Sequence, residues 1–314
     1  MGKGGRMPVI DDQEKTMDQK FVLPPTSFST LLFVSSCTTL PQATFPCFPC
    51  HSRTLHGQPM CMSKVVLCLR HRRHHANTNS LDRDENHVPR FKNTIRSYYH
   101  HFNNPLGRTI IIAFTLILGW PLYLIVNIAG RSYDRFASHF DPYSPIYSER
   151  ERVQILLSDI GVLAAGYGLY RIAAVKGLSW VLLVYGAPLH VANGFLVMIT
   201  LLHHTHLSLP HYDSSEWDWL RGALATVDRN YGILNKVFHH IADTHVLHHL
   251  ISSIPHYHSQ EASEAIKPVL GDYYHYDDTP FYKAMWREAK ECLYVEAEED
   301  GDKTSGVYWY KNKL

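Results

Sequence analysis

Six histidines stand in two copies of one spacing, His71-x-x-His74-His75 and His245-x-x-His248-His249. Positions i, i+3 and i+4 of an α-helix share a face, so each copy can aim three imidazoles at one point while the spacer residues point elsewhere. Neutral imidazole suits iron, copper, zinc or nickel, and a set built from histidine without thiolate argues against a structural zinc knuckle. A single cluster also fits a solvated basic helix end. Two copies of one spacing, at the edges of long apolar sequence, favour a shared metal site. Within His203-His204-Thr205-His206, at the end of one apolar stretch, His204 and His206 are further candidate ligands. Asp82, Asp84, Glu85 and Asp243 lie close enough in sequence to accept from ring nitrogens that face away from a metal. His256 and His258, after the second cluster, read as structural. A zinc protease is excluded for want of H-E-x-x-H.

Three apolar stretches, 109–129, 155–175 and 178–202, approach the roughly 20 residues that span a bilayer, and they are the elements that must position the histidines. Both clusters have to reach one centre, so the chain between them must cross a membrane an even number of times. Residues 155–202, with Lys176-Gly177 as the turn, are expected to form a spanning helical hairpin. Residues 109–129, which contain Trp120-Pro121, are then expected to be shallow, re-entrant or buried in protein. Asp159 and Arg171 are costly on a lipid-facing helix. The fold class expected is all-α, a multi-helix integral membrane protein with a histidine-rich metal-binding region.

With 30 Lys+Arg against 29 Asp+Glu in 314 residues, the chain carries no basic excess of the kind that nucleic acid requires, and no nucleic-acid partner is expected. Five of the six cysteines fall between Cys37 and Cys68, in proline-rich sequence without a sustained period, so they do not read as a disulfide framework. Residues 1–70 are expected to be an aberrant or disordered region, and residues 71–314 to form the histidine-bearing domain.

Residues 71–85 (HRRHHANTNSLDRDE), 209–240 (LPHYDSSEWDWLRGALATVDRNYGILNKVFHH) and 243–249 (DTHVLHH) closely resemble the plant membrane-bound fatty acid desaturases of the oleate (omega-6, delta-12) type. The resemblance covers about three quarters of the chain. It implies a helical enzyme of the endoplasmic reticulum membrane, multi-pass, whose histidine boxes hold two irons on the cytosolic side. It further implies an oxygen-dependent oxidation of a phospholipid-linked C18 acyl chain, electrons from cytochrome b5, and homo- or hetero-oligomers with other desaturases. Carried onto this chain, the iron ligands are His71, His74, His75, His245, His248 and His249, with His204 and His206 added from the residues themselves. Residues 309–314 (WYKNKL) resemble the aromatic retrieval signal that ends such proteins, an address read by a receptor.

Two departures qualify the resemblance. Members carry an H-E/D-C-G-H-H box before the second box, and the upstream histidines here are His51 and His56. Five residues make about 500° of helical rotation, so those two rings diverge by roughly 140° and make a poor ligand pair. The domain therefore reads as partial, and ligand counting predicts little activity from the chain alone. Leu247, inside the third box, stands where oleate desaturases usually have a smaller residue, which points to a divergent member such as an acetylenase, conjugase, hydroxylase or epoxygenase. The competing expectation is a catalytically inactive relative, at most a membrane partner of intact desaturases.

Overall fold

A computed structural model of the chain describes residues 64–95, 99–300 and 303–313. The expectations for residues 1–63, among them Cys47, Cys50, His51 and His56, lie outside the described residues.

The first helix, α1 (Lys64–Asn77), carries the first histidine cluster and starts upstream of the expected boundary at residue 71. It stops where polar side chains capture its last carbonyls: Asn77 Nδ2 donates to Arg73 O at 2.9 Å and Thr78 Oγ1 to His74 O at 2.8 Å. Asn79, at φ 56°, then turns the chain back.

Helix α2 (Pro105–Val126) opens with Asn104 accepting from Gly107 N–H and Pro105 in its first turn, and closes on Asn127 in the left-handed region. The Ser148–Glu151 capping box introduces α3 (Arg152–Lys176). Gly177, at φ 90°, supplies the turn into α4 (Leu178–His204), which has one π turn at Leu182–Gly186. All three helices are long and apolar enough to cross a membrane. Their outward residues, including Leu163, Val175, Leu178 and Leu183, are exposed and apolar. Arg171 donates to Tyr167 Oη one turn earlier at 3.1 Å.

Both ends of α2 are tied to the histidine-bearing body. Near its start, Tyr99 lies under the Arg90 guanidinium, and Arg90 O accepts from Val295 N–H at 2.8 Å. Near its end, Tyr123 Oη donates to Asn86 Oδ1 at 2.9 Å and Leu124 O accepts from His139 N–H at 2.9 Å. Its inner residues Ile112 and Leu116 pack into the cluster of Met198, Leu202, Ala284 and Met285. Only Gly107 and Tyr123 of residues 105–126 are buried, so the buried alternative for this stretch does not hold.

The remaining chain forms short helices α5 (Trp219–Leu224) and α6 (His245–Leu250), then α7 (His256–Leu270) and α8 (Phe281–Glu291). The fold is mostly helical, and the all-α expectation is corrected by two small sheets. Strands β1 (His211–Tyr212), β4 (Tyr294–Asp300) and β5 (Lys303–Lys311) pair antiparallel in the order β1-β5-β4, while β2 (Asp228–Arg229) pairs parallel with β3 (Tyr276–Asp277). Residues 309–311 of the tail that resembles a retrieval signal belong to β5: Tyr310 is buried, and Tyr294 Oη donates to Lys313 O just beyond the strand.

Candidate metal centre

The two clusters meet. His71 Nε2 lies 3.0 Å from His248 Nε2, 177 residues away, and 2.9 Å from His75 Nε2. Beside this trio stands a second group. His74 Nε2 lies 3.1 Å from His204 Nε2, His204 is 3.2 Å from His245 Nε2, and His245 is 3.1 Å from His249 Nε2. The groups adjoin where His75 stacks on His249 with 4.2 Å between ring centroids.

Helix geometry explains the convergence. His71 and His75 lie one turn apart on one face of α1, as do His245 and His249 on α6. His204 is the last residue of α4, delivered as the apolar helix returns to the body. All seven rings are buried except His71, which is half-buried.

Several outward nitrogens are held, which turns Nε2 inward. His74 Nδ1 donates to Asp84 Oδ1 at 2.9 Å, and Asp84 also accepts from the backbone N–H of Asn79 and Asn86. Thr78 Oγ1 lies 3.1 Å from His249 Nδ1, and Ile241 O lies 3.3 Å from His245 Nδ1. Burial, followed by the charge of neighbouring imidazoles, lowers the pKa of His71 to about 3 and holds those of His75, His245, His248 and His249 well below the ordinary value. Those five rings are therefore neutral, the form in which imidazole binds a metal.

Two adjacent ligands on one ion, each about 2.1 Å from it and at right angles, are roughly 3 Å apart. The Nε2 separations of 2.9–3.2 Å match that spacing. The trios His71/His75/His248 and His74/His204/His249 could each hold a metal ion. The residues fit the implied irons.

His206 is placed elsewhere, 4.0 Å from Asp277 Oδ2 and near Glu288. Those carboxylates are already neutralised: Arg229 Nη2 pairs with Glu288 at 3.1 Å, and Arg287 Nη2 pairs with Asp277 at 2.6 Å. A cation has little to gain there. His203 is occupied too, with Ile199 O 2.8 Å from Nδ1 and Ala242 O 3.0 Å from Nε2. Of the four acidic residues proposed to orient ligands, Asp84 alone faces one. Asp82 bonds Ser214, Glu85 pairs with Arg70, and Asp243 faces His240.

Sequence reasoning did not find Thr78 or the buried pair Asp228-Arg229. The pair has a visible signal, two adjacent opposite charges after the apolar run Ala223–Val227. A small crevice of about 10 Å³, lined by Ile241, Thr244, Leu247, Ile251, Ile254 and Ser259, runs to His248.

A family model described as fatty acid desaturase matches residues 51–281. The chain is 68% identical over 244 residues to the Delta(12)-fatty-acid desaturase FAD2 of Vernicia fordii, covering 78% of this chain and 63% of that protein. It is 66% identical to the omega-6 fatty acid desaturase, endoplasmic reticulum isozyme 2, of Glycine max, with the same coverage of each chain. It is 62% identical over 243 residues to the oleoyl-12-hydroxylase FAH12 of Ricinus communis, covering 77% of this chain and 62% of that one. The chain thus spans a little under two thirds of the length of the curated relatives it matches. The match runs through both histidine clusters and the returning apolar helix that adds His204, and the chain belongs to the fatty acid desaturase family.

Proposed function

We propose that this chain is a desaturase-type oxidoreductase of the endoplasmic reticulum membrane, acting on a phospholipid-linked C18 acyl chain. The observation that carries the reading is the meeting of seven histidine Nε2 atoms from three separate segments beside a small crevice. His71, His75 and His248 would hold one iron, and His74, His204, His245 and His249 the other. The irons, when bound, supply the oxygen-activating chemistry that an unactivated C–H bond requires. The net change takes two hydrogens from the acyl chain and reduces one dioxygen to two waters, consuming two electrons and two protons from outside. Cytochrome b5 is the proposed electron donor.

The residues around the centre orient and exclude. Asp84, Thr78 and the Ile241 carbonyl fix the rings, and burial keeps bulk water from them. Leu247 and its apolar neighbours form a wall next to His248, and the crevice there, at about 10 Å³, must widen for an acyl chain to lie against it. Placement of the acyl carbon at that wall decides between a double bond and a variant oxidation. The names of the similar proteins, a desaturase and a hydroxylase, support both outcomes.

A second reading, a catalytically incomplete relative that associates with intact desaturases, is favoured by the absence of an H-E/D-C-G-H-H box from the sequence. One experiment separates them. The chain is expressed in yeast that makes oleate but little linoleate, and acyl products and protein-bound iron are measured together. A new oxidised C18 product, lost in His248→Ala, carries the first reading. Fewer than two irons per chain, with no product, carries the second.

A further inference from the structure

We propose that Asp228 and Arg229, the two residues of β2, are positioning residues that set the separation between His204 and His245; this rests on the metal centre proposed above. Both side chains are fully buried. Asp228 Oδ1 accepts from Val246 N–H at 2.7 Å, and its Oδ2 accepts from Tyr274 Oη–H at 2.8 Å. Val246 is the second residue of α6, where an N–H has no partner within the helix. Thr244, at the ordinary capping position, makes no side-chain cap bond, so Asp228 caps the ligand-bearing helix from a distant strand.

Arg229 does the reciprocal work at the end of α4. Its Nε donates to Leu202 O at 2.8 Å and its Nη2 to Thr205 O at 3.5 Å, bracketing His204. Terminal carbonyls of a helix lack partners and attract positive charge. The guanidinium is itself fixed by Asp277 and Glu288. Neighbouring residues of a strand point to opposite faces, so one rigid dipeptide reaches the start of α6 with one side chain and the end of α4 with the other. The main chain repeats the link: Arg229 N–H donates to Ala242 O at 2.8 Å and Val227 N–H to His203 O at 3.2 Å. His204 and His245 are thereby held on a common frame at 3.2 Å.

The test uses the full chain in detergent with two readouts, amide hydrogen exchange of the metal-free protein and Co²⁺ titration followed by its visible absorption. Asp228→Ala is expected to speed exchange across residues 243–250 by about tenfold or more, as loss of one charge-assisted hydrogen bond implies. It is also expected to weaken Co²⁺ binding by about tenfold or more and to change the spectrum. Asp228→Asn, which keeps an acceptor for Val246 N–H, should restore both. Arg229→Lys should raise exchange at residues 202–205 and weaken Co²⁺ binding, testing the clamp from its other end if Asp228→Ala does not accumulate. The exposed control Glu261→Gln should change nothing. Unchanged exchange in Asp228→Ala overturns the clamp; faster exchange with an unaltered Co²⁺ spectrum and affinity overturns its positioning role. Should the unsubstituted chain take up no Co²⁺, the proposed centre fails and the exchange readout alone decides the clamp.

Discussion

At the scale of single residues, His74 shows what a ligand needs beyond its place in a motif. Its Nδ1 is engaged by Asp84, a carboxylate already fixed by two backbone N–H groups, so the ring has one orientation available. Asp84→Ala should therefore lower iron affinity by roughly 10- to 100-fold while leaving the chain membrane-bound, checked by iron content against free-metal concentration. The i, i+3, i+4 spacing was legible in the sequence because helix geometry alone dictates it. The outward partners Thr78 and Ile241 O were not, because they depend on how the chain turns back at Asn79 and re-enters before α6. The same burial makes a pH prediction. In the unfolded chain these imidazoles titrate near pH 6.5, whereas folded His71 titrates near 3 and His75, His245, His248 and His249 well below their ordinary value. Below pH 6.5 the unfolded state then binds more protons, so stability is full above that pH and is lost as pH falls toward the folded pKa values. Asp228, pushed up to about 6 by burial, runs the opposite way between roughly pH 4 and 6, but it is one group against five. The midpoint of thermal unfolding of the metal-free protein in detergent should fall steeply from pH 7 to pH 5, and a flat profile would contradict neutral buried rings.

Among the elements, the apolar helices were the easiest to read and the small sheets the hardest. The run 178–202 becomes α4 (Leu178–His204) and the run 155–175 becomes α3 (Arg152–Lys176), because a sustained apolar run with Gly177 between its halves leaves few other solutions. Strands of two residues, such as β1, β2 and β3, have no period to detect, and they exist because tertiary packing brings distant backbones together. Close packing also decides which glycines matter. Gly222 in α5 has no room for a methyl group, since its Cβ would fall inside contact distance of Thr78 O and Trp217 Nε1. Thr78 is the residue that faces His249 Nδ1, so strain at Gly222 reaches the centre. Gly222→Ala should destabilise by about 1–3 kcal/mol. Gly166→Ala, in open space on α3, should be neutral or mildly stabilising, because alanine is the better helix former. Thermal unfolding of the two variants side by side in detergent checks the contrast; equal effects would show that α5 does not seat against α1 in this way.

For the whole molecule, a shared histidine centre would constrain the membrane geometry. Helix α3 leaves the body where Arg73 pairs with Glu151, and α4 returns to it with His204, so the pair can go out and back. At about 1.5 Å per residue, the 25 residues of α3 are long enough for a hydrocarbon core of roughly 30 Å. Helix α2 has the composition of a span as well, yet Tyr99 and Tyr123 attach both of its ends to the body that holds the histidines. Composition reports that a segment prefers lipid; where its ends are tethered decides whether it crosses. We expect a helix tethered at both ends to one side to lie along the membrane, with its exposed residues Leu106, Ile110, Phe114 and Ile125 toward lipid, while Ile112 and Leu116 pack on protein. The protein should accordingly resist alkaline extraction from microsomes. Glycosylation acceptors inserted one at a time should be modified at the turn after Lys176, on the lumenal side, and left unmodified both just before Asn104 and in the segment 127–148. Modification at one flank of α2 but not the other would mean that this helix crosses, giving an odd number of crossings between the two clusters. Such a topology would put His71 and His248 on opposite sides of the bilayer, and no shared centre could then form.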